Sequence, residues 1–230
     1  METSHNLLLV SGDEHAGLRQ ALVLLGMTVG TGMVDAVSFL ALGRVFTANM
    51  TGNIVLLGFA LAGTSGLSVA RSSVALAGFL LGAVAGGRMS RWAGRAFLAE
   101  VFLLAAGAAV AIGMRFESTI NPAQLYAVIT VTAAAMGLRN AVVRKLGVPD
   151  LTTTVLTLTI TGLAADSRLA GGDNPRWQRR VGAILAMLVG AGAGARMVAH
   201  SISLPLVVCS IITCVCAVIQ LRIDSKRKES

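Results

Sequence analysis

Charged side chains make up only 13% of this 230-residue chain and aromatic ones only 4%. Soluble domains carry about 25% charged residues, so a chain this poor in charge lacks the surface of a soluble globular protein. The shortage of aromatics bears on the net charge of +8. A nucleic-acid face interleaves basic residues with rings that stack on bases, and here the basic residues stand alone between apolar blocks, so nucleic acid is not an expected partner. Cysteine and histidine are equally sparse. Cys209, Cys214 and Cys216 crowd into one apolar block and His5, His15 and His200 are scattered, which supplies neither a disulfide framework nor a metal-ligand set. No cofactor is implied. The start, "METSHNLLLVSGDEHAGLRQ", has three acids and no basic residue ahead of its short apolar run, unlike a secretory leader.

What is present in abundance is hydrocarbon. Apolar residues reach 55% and mean hydropathy is +0.76. They fall in blocks at about 20–43, 69–87, 96–114, 123–143, 180–199 and 203–221, most of them near the roughly 20 residues a helix needs to cross a bilayer. The fold expected is an all-α integral membrane protein of six transmembrane helices, with the lipid bilayer as its surroundings and no room for a separate soluble domain.

The chain repeats itself. "GMVDAVSFLALGRVF" from Gly32 lines up with "GLRNAVVRKLGVPDL" from Gly137, which sets Asp35 opposite Asn140, and "GAVAGGRM" from Gly82 lines up with "GAGAGARM" from Gly190. Between these anchors "TANMTGN" from Thr47 falls opposite "TTTVLTLT" from Thr152, give or take one residue. Each of these segments leads into a short apolar run. Ile54 to Ala62 reaches roughly 14 Å and Val155 to Ala165 roughly 16 Å at 1.5 Å per residue, about half of a ~30 Å hydrocarbon core.

Cytoplasmic loops collect Lys and Arg, and this decides what the short segments do. If they cross, the 19 basic residues divide 11 to 8; if each dips in and returns, they divide 15 to 4, with only Arg44, Arg71, Arg115 and Arg196 outside. The second division predicts re-entrant segments, both termini in the cytoplasm, and a 3+3 inverted repeat. Residues 1–18 are then an N-terminal tail, 19–116 the first membrane repeat, 117–222 the second, inverted one, and 223–230 a basic tail. Trp92 and Trp177 both fall at the cytoplasmic interface, where aromatic belts form.

"DAVSFLALGRVFTANMTGNIVLLGFALA" together with "GLRNAVVRKLGVPDLTTTVLTLTITGLAAD" resembles the YoaK-type family of small bacterial membrane proteins, a family of unknown function, over about Leu18 to Leu221. The resemblance implies a six-span protein of the bacterial inner membrane and brings no activity with it.

Non-helical backbone at membrane depth needs protein or a water-filled cavity to satisfy it, so re-entrant segments mark a polar interior. Arg44 to Met50 is expected to enter extended, Thr51-Gly52-Asn53 to turn, and a half-helix from Ile54 to return; Lys145 to Thr154 does the same from the other face, turning near Thr154 to Thr157. Two helix N-termini brought to the midplane favour a small polar or anionic solute. The candidate substrate-binding residues are Asp35, Thr47, Asn49, Thr51, Gly52, Asn53, Arg139, Asn140, Thr152, Thr154 and Thr157. Asp35, roughly 10 Å from the end of its span, either binds loop amides around Thr51 or carries a coupling proton or cation. Arg139 either snorkels to the interface or lines an anion path. Glu100, beside Arg95, is expected at the interface. Glycines spaced by four at Gly78, Gly82, Gly86, Gly190 and Gly194 offer close helix packing within the chain or in a homodimer.

The function expected is a secondary transporter or permease for a small solute. A channel of the same build, an intramembrane enzyme and a non-transporting subunit are the alternatives. Enzyme chemistry is disfavoured because no histidine, cysteine or lysine lies at depth beside a hydroxyl to make a nucleophile and base.

Overall fold

The structure, a computed structural model, describes the backbone of residues 2–114, 121–151, 153 and 156–229, with side chains described between 17 and 225 in those ranges. Every regular element among the described residues is helical. The order is α1 (Glu2–Ala41), α2 (Met50–Leu61), α3 (Val69–Met89), α4 (Ala93–Val110), α5 (Pro122–Leu146), α6 (Leu156–Ala165), α7 (Trp177–Val198) and α8 (Ser203–Glu229). Local chemistry accounts for the boundaries. The Ser68 side chain accepts from the Arg71 N–H to start α3; Asn121 caps α5 with Pro122 just inside, where proline's missing N–H is not needed; and Gly147, at φ 64°, ends α5 in the left-handed conformation glycine tolerates. Helix already begins at Glu2, so the segment expected as a tail continues directly into α1.

Among the described residues, five stretches are long and apolar enough to span: Gly17–Ala41, Val69–Val110, Pro122–Leu146, Trp177–Val198 and Ser203–Ser225. The second is 42 residues, about 63 Å if straight and so twice a hydrocarbon core. It is interrupted by a 3-10 turn at Ser90–Trp92, with Trp92 at φ −125° and ψ 62°, and α3 and α4 lie on either side of the break. The outward faces are apolar. Leu81 is 71% exposed and Phe102 74%, and Leu80, Leu188 and Ile211 are each more than half exposed; hydrocarbon around the bundle accounts for them as water would not.

Contact register gives the helix directions. Gly78, Gly82 and Gly86 lie on Thr130, Ala134 and Leu138, so α3 and α5 are parallel. Gly190 and Gly194 lie on Val29 and Met33, so α1 and α7 are parallel too. Gly107 lies by Thr132 and Glu100 by Arg139, which makes α4 antiparallel to α5. Gln20 bonds Gln220 and Gly30 lies by Cys209, which makes α1 antiparallel to α8. It follows that α3 and α4 reverse direction at Ser90–Trp92. In both parallel pairs the backbones meet where a Cβ would have no room, and close approach of this kind drives helix association in lipid.

The two short helices sit at opposite ends of the bundle. The end of α1 meets the start of α3, with Gly43 against the Arg71 guanidinium. The end of α5 meets the start of α7, where Asp150 accepts from Arg176 at 2.9 Å and Arg180 at 3.1 Å. Since α1 and α7 are parallel, these are different ends. Against them α2 packs on α3, and α6 packs on α7. Between the ends, α1, α4, α5 and α8 enclose a dense interior that includes Leu24, Met27, Phe97, Leu104, Ile129 and Met136, all buried.

Candidate functional site

The sequence pattern anticipated one midplane cluster, and the structure distributes its residues over three places. At the first, Asp35 Oδ1 accepts from the backbone N–H of Ala48 at 2.9 Å and of Asn49 at 3.4 Å. Phe46 stacks on Phe39 with ring centroids 5.0 Å apart, which presses the returning chain onto α1. Asn49 caps α2, its Oδ1 accepting from the Gly52 N–H at 3.1 Å. Buried Asn53 donates from Nδ2 to the Ser72 carbonyl at 3.0 Å. The turn therefore comes before Met50, a full helical turn earlier than the Thr51-Gly52-Asn53 turn expected, because Asn49 rather than Thr51 supplies the cap. Asp35 thus binds the loop amides. Of the amides near the start of α2, those of Ala48 and Asn49 are taken by Asp35 and that of Gly52 by Asn49.

The second place has the same framework. Arg44 (φ 57°) and Asp150 (φ 65°) take the left-handed conformation at corresponding positions, followed by buried Val45 and buried Leu151. Helices α2 and α6 begin at Met50 and Leu156, and each has a single buried described residue, Asn53 and Thr159. This fixes the register left open by one residue: Thr47 corresponds to Thr153, and Thr51 to Thr157. Thr47 and Thr153 are buried, and the Oγ1 of each has no hydrogen-bond partner among the described residues. Thr51 and Thr157 are exposed on their helices. Thr152 and Thr154 lie outside the described residues. Arg180 ties α6 to α7, donating to the Gly162 carbonyl at 2.6 Å and pairing with Asp166 at 2.7 Å. Asn140 donates from Nδ2 to the Met136 carbonyl at 2.8 Å and lines a crevice of about 1010 Å³ with Phe79, Ala83, Arg144, Lys145 and Asp150.

The third place holds Arg139, a candidate from the sequence, with a partner that was not foreseen. Arg139 is fully buried and forms an ion pair with fully buried Glu100 through Nη2 and Oε1. Its Nη1 donates to the Met27 carbonyl at 2.6 Å and Thr31 Oγ1 at 3.0 Å, and its Nη2 donates to Thr213 Oγ1 at 3.0 Å. A Cβ at Gly30 would meet Cys209 Sγ at 2.9 Å and Arg139 Nη1 at 3.3 Å, so glycine leaves the space the guanidinium fills. The snorkelling alternative for Arg139 and the interfacial place for Glu100 are both corrected. Helix α4 starts at Ala93 and α5 continues to Leu146, nearly a turn beyond the apolar blocks at 96 and 143. Each residue therefore sits seven positions inside its helix, roughly 10 Å deep. That depth, the same signal that singled out Asp35, would have found Glu100 had the helix ends been known.

Comparison with known proteins bears on the chain as a whole. The family model described as "Protein of unknown function (DUF1275)" matches residues 23–219. The chain belongs to this family. It is also 33% identical over 160 residues to the UPF0700 transmembrane protein YoaK of Bacillus subtilis (strain 168), an alignment covering 66% of this chain and 68% of that protein. No solved structure matches. The DUF1275 chain is thus a membrane protein of an uncharacterised family, as the threonine-glycine-asparagine motif and its partner implied.

Proposed function

We propose that this protein is a secondary transporter for a small polar or anionic solute, built from two inverted halves of three spans, with α2 and α6 re-entrant and both termini cytoplasmic. Support for inversion comes from direction: α1, α3 and α4 alternate in one sense and α5, α7 and α8 in the opposite sense, while the glycine contacts repeat in register. Support for re-entrance comes from α1 ending where α3 begins, and α5 where α7 begins, so that neither α2 nor α6 needs to cross. The 15 to 4 division of basic residues sets the orientation.

The observation that carries the transport reading is the pair Thr47 and Thr153. Two hydroxyls at corresponding positions, one near each end of the bundle, are buried without a partner among the described residues, and a buried polar group left unpaired is destabilising unless something occupies it. A solute exchanged between two such positions by rocking of one half against the other would supply that partner. The test is a thermal-shift screen of purified protein against small polar and anionic metabolites, followed by uptake of each stabilising compound into liposomes. Wild type is expected to be stabilised by a narrow set that Thr47→Val and Thr153→Val no longer recognise. Identical responses from wild type and both variants would remove the site.

A further inference from the structure

The Glu100–Arg139 pair is incomplete, and its incompleteness has a direction. Of the five guanidinium N–H donors, those of Nη1 go to Met27 and Thr31, Nη2 serves Thr213 and faces Glu100 in the ion pair, and Nε is buried with no partner among the described residues. On the acid, Oε1 meets Nη2 as an ion pair, and neither Oε1 nor Oε2, both buried, has a hydrogen-bond partner among the described residues. An arginine normally grips a carboxylate with two parallel bonds, and here the grip is one-handed. Met27, Thr31 and Thr213 would hold the guanidinium in place even if Glu100 let go. The edge then presented, Nε–H beside Nη2–H, is the fork that matches a planar oxyanion.

We propose that Glu100 is the proton-binding group of the carrier, so that protonation of its carboxylate releases Arg139 to bind the anionic group of the solute and one proton moves with each anion. The proposal rests on the transport reading above. The charges balance: the empty site holds carboxylate and guanidinium, and the loaded site holds carboxylic acid, guanidinium and the solute anion. Net charge in the hydrocarbon-depth interior is zero in both, which avoids the large penalty of an uncompensated buried ion. The substrate class that fits is a small monovalent anion with a planar head, such as a carboxylate.

Other charged groups do not compete for this role. From α5 the ionisable group facing Glu100 is Arg139. From α8 come the thiols of Cys209 and Cys216 and, at the helix end, Asp224, which accepts from the Gly94 N–H. The turn and α3 contribute Arg91 and Arg88, both exposed at the same end. Arg144 and Lys145 line the crevice beside Asn140, one residue along from Arg139, and would draw anions toward this end of the bundle.

The test uses full-length protein in detergent, in weak buffer, with nitrate and pyruvate as probes. Wild type is expected to take up one proton per anion bound. Glu100→Gln, which mimics the protonated acid, should bind the anion more tightly and take up none. Glu100→Gln/Arg139→Gln removes both charges, retains the fold, and should do neither. Proton uptake that survives in Glu100→Gln, anion binding that survives in the double variant, or binding by wild type without proton uptake would each overturn the proposal, as would absence of anion binding in wild type. Liposome flux separates this from the broader reading. A protein that carries a neutral solute without proton uptake keeps transport and loses the coupling, whereas coupled binding without any flux keeps the pair's chemistry and removes transport.

Discussion

The α3–α5 and α1–α7 seams are built alike, and the residues immediately beside them are not. Gly82 on Ala134 has its counterpart in Gly190 on Val29, and Gly86 on Leu138 in Gly194 on Met33. Yet the positions following those contacts read Val34-Asp35 in α1 and Arg139-Asn140 in α5. Val34 is buried among hydrocarbon, and Arg139 at the same register is buried on Glu100. The lesson is a division of labour. Small residues set how the helices meet, which the two seams share, and single polar substitutions on that common frame make each end chemically distinct.

The largest effect expected is on the frame itself. Gly82→Val and Gly190→Val each drive a branched side chain into the facing backbone carbonyl, which cannot yield as a side-chain tip would. Overpacking costs about 1–3 kcal/mol and occasionally more, so both variants should lose folded, monodisperse protein in detergent. Gly87→Val and Gly192→Val lie on the same helices with open space around the glycine and should melt with wild type. Unequal damage at Gly82 and Gly190 would mean that the two seams are alike only in appearance.

Next in size is the asymmetric charge. Removing Glu100 or Arg139 alone leaves a buried ion uncompensated, which destabilises by about 3–5 kcal/mol. Replacing both by glutamine should recover most of that loss, and thermal unfolding of the two single variants and the double variant gives the coupling directly. A small coupling would show that water reaches the pair. Gly30→Ala probes the same place from α1, since its methyl would contact both Cys209 and Arg139.

Much of the frame was legible in the sequence because hydrocarbon length and glycine spacing are strong signals. The repeat anchors at Gly32, Gly82 and Gly86 are the residues that meet backbone in the structure. Asp35 was legible as well, since a carboxylate roughly 10 Å inside a span must find a partner. Glu100, and with it the pairing to Arg139, was missed for a particular reason. An apolar block ends where polar residues appear, whereas a helix continues until its caps, and Ala93 and Leu146 extend the helices past the blocks. The distribution of the candidate residues over separate places was not legible for another reason. Periodicity and composition give depth along one segment but not which partner each segment packs on, and α2 packs on α3 while α6 packs on α7.

A smaller effect makes the two ends alike. Asp35→Asn installs the residue found at the corresponding position of α5. The amide oxygen can still accept from Ala48 and Asn49 but without charge, and hydrogen bonds to charged groups contribute about 1.5–3 kcal/mol against about 1 for neutral ones. A loss of roughly 1 kcal/mol in unfolding stability is expected, together with easier labelling of a cysteine placed at Ala48. An unchanged melting temperature would mean that the Phe39–Phe46 stack holds the segment by itself.

The smallest effect is the most discriminating. Thr47 and Thr51 belong to one motif, with the first hydroxyl turned into the protein and the second turned out, and Thr153 and Thr157 repeat the arrangement. Valine has nearly the shape of threonine and the same branching at Cβ, so all four Thr→Val variants keep their volume and backbone preference. At Thr51 and Thr157 the change should stay within about 0.5 kcal/mol, as exposed substitutions do. At Thr47 and Thr153 it removes a buried group that bonds nothing among the described residues, so stability should be unchanged or higher. A hydroxyl retained by structure alone would show the opposite sign. If Thr47→Val and Thr153→Val melt below wild type in the absence of any solute, both hydroxyls have protein partners, and the matched pair no longer points to a ligand. If they melt at or above wild type and lose solute-induced stabilisation while Thr51→Val and Thr157→Val keep it, the inward hydroxyls are there for something that comes and goes.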